Sequence, residues 1–243
     1  MKFSPLRLYS SGSKEIRDAY FLKEGSVEFS ISSVDEVKSR GQAVYPKLED
    51  KYELKGKNLI LGATEIILNH LLDDFKTVRL ETALLLQDSK IKKIPVFKVL
   101  KGLRDQASFR ENITMILEKK IFLTNHILNK KIEKLTSDNQ KFVKGCFLYY
   151  QKLKELAKNN REKNLSALDQ DNIFYNQGEI FYKSALSIEK TVKKNLWERM
   201  ILLAQKYYDT IRGIRAVNDL IINKEKGKNL WPQLEEGLEL LSN

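Results

Sequence analysis

Two kinds of hydrophobic pattern divide this chain: short apolar runs between turn residues up to about residue 100, and long amphipathic stripes after it. In the first part Ala19–Lys23, Glu24-Gly25 and Ser26–Ser32 read as a β-hairpin around a glycine turn. In its second arm Val27, Phe29 and Ile31 alternate with polar residues, the period of a half-buried strand. Ala43–Tyr45, Lys51–Leu54, a turn at Lys55-Gly56-Lys57, Asn58–Leu61, Lys76–Leu80 and Ala83–Gln87 continue the series. Many short strands joined by glycine turns predict an antiparallel β-roll, jelly-roll-like, over residues 1–105.

From about Ile91 the period becomes helical. Ser108–Leu135 places Ile113, Ile116, Leu117, Ile121 and Leu128 on one face. Asp138 caps a following helix through Phe142, Phe147, Tyr149 and Leu153. Asn159–Asp171 reads as a connection, then Gly178–Lys194 and Leu196–Ile222 as two more helices. Lys224–Asn229 reads as a basic linker, and Pro232 opens a last short helix. The expected fold class is therefore α+β: a β-roll, then an all-α domain over residues 106–243. Aromatic residues recur through the helices at core spacing, which favours helix seams over a platform for stacked bases.

Composition narrows the chemistry. The only cysteine, Cys146, excludes an internal disulfide, and two distant histidines, His70 and His126, argue against a metal centre. No stretch is apolar enough for a signal peptide or membrane span, so the expected location is cytoplasmic. The net charge of +11 invites a nucleic-acid reading. It is disfavoured, because the excess is lysine dispersed along helices (Lys119, Lys120, Lys130, Lys131, Lys193, Lys194), the mark of a solvated face. There is no phosphate-binding G-x-x-x-x-G-K-[ST] loop, no H-E-x-x-H and no G-x-S-x-G, and Cys146 lies in an apolar helical stretch that suits a buried thiol; no enzyme is expected.

One segment carries a ligand hypothesis. A strand ends at Leu61, Gly62 permits a tight turn, and Ala63–His70 begins a short helix with Glu65 in its first turn. Such a junction aims unpaired N–H groups and a helix dipole at a phosphate. With "LKEGSVEFSI" before it and "FKTVRLETALLLQDSKI" after it, "LKGKNLILGATEIIL" resembles the cyclic-nucleotide-binding domain family over roughly residues 5–105. Glu24-Gly25 matches the family's hairpin glycine, Gly56 its next turn, Gly62 its cassette glycine and Thr77-Val78 the strand that follows. Ala63 and Thr64 separate that glycine from Glu65, and Asp74 stands where the family has its phosphate-pairing arginine. The resemblance thus implies a ligand site of Gly62, Ala63, Thr64, Glu65, Lys76, Thr77 and Arg79, with Glu65 on a ribose hydroxyl and Lys76 or Arg79 as the cation. It implies no other cofactor. The ligand class is a cyclic mononucleotide or, given the lysine-rich surroundings, a cyclic dinucleotide.

The competing reading is a roll that keeps the fold and binds nothing, with Arg79 paired to Glu81 or Asp88. The helical half carries no helix-turn-helix; its long helices suit a bundle that meets a second copy or a protein partner.

Overall fold

A computed structural model describes residues 5–32, 48–73, 75–159, 172–185, 195–222 and 224–242. The expected strand at Ala43–Tyr45, the connection at 160–171 and Asp74 lie outside them. Five strands form one antiparallel sheet: β1 (Leu6–Tyr9), β2 (Asp18–Ser32), β3 (Glu49–Leu61), β4 (Thr82–Leu85) and β5 (Lys90–Pro95). A short helix α1 (Thr64–Leu71) follows β3, and α2 (Val96–Asp105) follows β5. Then come α3 (Ala107–Glu133), α4 (Ser137–Asn159), α5 (Ile173–Ala185), α6 (Leu196–Ile222) and α7 (Lys224–Leu240). This is the α+β order expected from the two hydrophobic periods, sheet first and helices after.

The centre of the sheet is β2, paired with β3 along one whole edge. Its other edge is shared end to end by β4, at Val27–Ser30, and β5, at Asp18–Glu24. Neither glycine turn of the expected hairpins exists: β2 runs straight through Gly25, β3 through Gly56, and the two glycines face each other in register. What breaks the alternation is a change of buried parity within continuous strands. Tyr20 and Leu22 are buried before Gly25, Val27, Phe29 and Ile31 after it; on β3, Tyr52 and Leu54 give way to Leu59 and Leu61.

Ser89, in the turn between β4 and β5, sits against Gly25. Its hydroxyl accepts from the Ser26 N–H at 2.9 Å and donates to the Ser26 carbonyl at 3.2 Å. Gly25 has φ +126°, and a Cβ there would lie 2.1 Å from Ser89 Oγ.

Further expectations are corrected. Lys76–Leu80 is irregular, because the backbone of Thr77 and Arg79 bonds to Asn69, Ser13 and Gly12 and not to a strand. The helical pattern assigned from Ile91 starts later, since Lys90–Pro95 completes the edge of β2 as β5. Lys224–Asn229 is helical, not a linker, and Pro232 lies inside α7, where Leu234 and Trp231 pack over Gly145 of α4. α5 starts at Ile173, earlier than Gly178, while α6 has the expected bounds.

In the helical half α3 packs on α6 and on β3, and α4 on α5 and α7. The aromatic residues fill these seams: Phe174 meets Phe142 and Tyr149 edge-on, and Tyr150 lies against Tyr175 and Tyr182. Cys146 is fully buried among them, and burial pushes its thiol up to about 12, so it stays protonated.

The Gly25 contact yields a paired test. Gly25→Ala forces a positive φ onto a side chain that collides with Ser89, and should cost at least about 2 kcal/mol. Gly56→Ala meets only the movable end of Leu59 at 3.1 Å. It should cost under about 1 kcal/mol, both read from urea midpoints.

Candidate functional site

The end of β3, the start of α1 and the irregular segment before β4 meet at Arg79. Gly62 closes β3 with φ +70°, and its carbonyl accepts from Arg79 Nη1 at 2.7 Å. Ala63 leads into α1, and Thr64 and Glu65 occupy its first turn, all buried. One Glu65 oxygen accepts from Arg79 Nη1 at 3.0 Å and the other from the Leu80 N–H at 3.0 Å. Arg79 Nη2 reaches the Asp18 carbonyl, and the Tyr9 ring lies 4.4 Å from the guanidinium carbon. A Cβ on Gly62 would come within 3.0 Å of Nη1 and 3.1 Å of the Tyr9 ring. With the positive φ, any side chain there would be strained and would press on both.

Five of the seven expected ligand residues, Gly62, Ala63, Thr64, Glu65 and Arg79, therefore converge. Thr77 is held to the end of α1 by a reciprocal pair of bonds with Asn69, at 2.7 and 2.9 Å, while Lys76 is exposed. The partner of Arg79 is Glu65, not Glu81 or Asp88, and the two side chains are 3% and 2% exposed.

Directly behind this pair lies a second buried charge pair. Glu81 receives the ammonium of Lys120 from α3 and the Tyr207 hydroxyl from α6. Tyr52 of β3 donates to Glu81 at 2.6 Å, and its oxygen lies 2.7 Å from that of Tyr207. Tyr9 touches both pairs, its ring on Arg79 and its hydroxyl 3.5 Å from Glu81. The Lys120 ammonium also sits 4.3 Å from the Phe29 ring centre and 4.6 Å from that of Tyr207. Burial first, and the Glu81 charge second, hold the hydroxyls of Tyr9, Tyr52 and Tyr207 well above the ordinary phenol range. They remain proton donors to the carboxylate.

Two ties flank the cluster. Arg215 of α6 donates to the Leu80 carbonyl and, at 3.0 Å, to Ser11 Oγ; burial lowers its pKa. Asp50 of β3 accepts from Lys131 of α3 and Asn218 of α6, each at 2.9 Å. Residues 79–81 thus join the Gly62 junction to both long helices.

Sequence reasoning missed this second cluster and placed Lys120 on a solvated face, although it is 2% exposed. A signal was there: Lys120 falls within the apolar stripe Ile113, Ile116, Leu117, Ile121, Leu128, where a lysine requires a buried partner. No protein-family model matches the chain, and neither does any curated protein or solved structure. Among the described residues no helix is long and apolar enough to cross a membrane, and no group of three His, Cys, Asp or Glu is placed to hold a metal.

Removing one partner of a buried pair strands the other charge. Lys120→Met should therefore cost about 3–5 kcal/mol and Tyr207→Phe about 1–2 kcal/mol in urea unfolding. The double variant Glu81→Gln, Lys120→Met should cost less than the sum of its singles.

Proposed function

We propose that this chain is a non-enzymatic regulatory protein that senses a cyclic mono- or dinucleotide at the Gly62 junction and signals through its helical half. One observation carries this reading: Arg79 and Glu65 converge at the positive-φ glycine between β3 and α1, with a buried network leading from there to α3 and α6. Arg79 is the cation for a ligand phosphate and Glu65 the acceptor for a ribose hydroxyl. Both must exchange their present bond to each other for the ligand. Tyr9, Leu80 and Glu81 then carry the change to Tyr207, Lys120 and Arg215.

The output partner is a protein or a second copy of the chain. Support comes from α3, whose outer face exposes Met115 and Phe122, the latter by 73%. The single thiol agrees with work in the reducing cytoplasm.

A second reading has its own observation. The Glu65–Arg79 pair is buried and satisfied within the protein, as befits a sheet that has kept the fold to stiffen an interaction module.

Calorimetric titration with a panel of cyclic mono- and dinucleotides separates the two. The sensing reading expects saturable binding that stabilises the fold by about 2.7 kcal/mol at one hundred times Kd. It also expects Glu65→Gln and Arg79→Lys, checked for folding by circular dichroism, to weaken that binding at least tenfold. No binding by any nucleotide at about millimolar concentration overturns it and leaves the interaction module.

A further inference from the structure

A cavity of about 350 Å³ opens between α3, α4 and α5, apart from the Gly62 junction and independent of any nucleotide there. Its wall is largely apolar, built from Leu128 and Ile132 of α3, Val143 and Phe147 of α4, and Phe181 of α5. This volume lies within the range of small-molecule sites, roughly 300–1,000 Å³.

The polar part of the lining has one sign. Among the described residues that line it, Lys144 is the only charged one and none is a carboxylate. Asn125 and Asn129 supply carboxamides. The Thr210 hydroxyl, whose proton goes to the Lys206 carbonyl at 2.9 Å, lies 3.3 Å from the Asn125 carboxamide. The Ser184 hydroxyl is likewise committed, donating to the Phe181 carbonyl at 2.9 Å. Behind Ser184 the Lys206 ammonium donates to the Lys183 carbonyl at 3.1 Å and to that of Ser184, with the Asp209 carboxylate acting on it, so Lys144 is the charge that bears on the cavity. An apolar chamber with two carboxamides and a lysine in its wall fits an apolar body that ends in an anion.

We propose that this cavity binds a small organic acid with an apolar body, such as a medium-chain or single-ring carboxylic acid. The carboxylate lies at Lys144 and the Asn125 and Asn129 amides, and the body among Leu128, Val143, Phe147 and Phe181.

The test is calorimetric titration of the full chain with octanoate, hexanoate and 1-octanol, each kept below aggregation. Octanoate should bind at a single saturable site. Affinity should fall roughly fourfold for each methylene removed, and octanol should bind at least tenfold more weakly than octanoate. Two exposed positions give variants that leave the fold intact. Lys144→Glu should weaken octanoate at least tenfold, and Asn129→Trp, which fills the cavity from its rim, should abolish binding. No saturable heat, equal affinity for octanol, or unchanged binding by Asn129→Trp would each overturn the proposal.

Discussion

The carboxylate of Glu81 is buried where the sheet meets the helices, and the rest of the architecture has to neutralise it. Moving such an ion out of water costs several kcal/mol, recovered only when an opposite charge and further donors meet it in good geometry. Here they come from four elements: Lys120 from α3, Tyr207 from α6, Tyr52 from β3 and Tyr9 from β1. The sheet cannot part from the helices without leaving the carboxylate or the ammonium alone in an apolar interior. A polar cluster of this kind fixes which faces dock more sharply than apolar packing does, since apolar surfaces tolerate sliding.

The same constraint gives the Gly62 junction its mechanical meaning. Arg79 and Glu81 are two residues apart, and Leu80 between them bonds Glu65 through its N–H and Arg215 through its carbonyl. Any exchange of partners at Arg79 displaces groups that are already in contact with α6. On the sensing proposal, a ligand that binds only one arrangement of Arg79 would bias the positions of the helices with it.

Much of this was legible in the chain. The bounds of α6 and nearly those of α3 follow from apolar spacing, and the strand–glycine–helix junction at Gly62 with Glu65 in the first turn of α1 followed from a local motif, while the pairing of Glu65 with Arg79 did not. The glycines of β2 and β3 misled because a change of buried face and a turn leave the same broken alternation in one dimension. β5 escaped because Lys90–Pro95 is rich in lysine and borrows its pairing from β2. The Glu81 cluster was illegible for a different reason. Its partners Tyr52, Lys120 and Tyr207 lie 29, 39 and 126 residues away, and only the tertiary fold brings single polar residues of separate stripes together.

If Glu81 welds sheet and helices into one unit, both must open together. Residue-resolved native-state hydrogen exchange tests this directly, comparing the amides of Phe29 and Leu54 in the sheet with those of Leu203 and Ile211 in α6. The account predicts one shared opening free energy for the two groups, falling by the same amount in Tyr207→Phe. Sheet amides that exchange freely while the α6 amides keep full protection would contradict it.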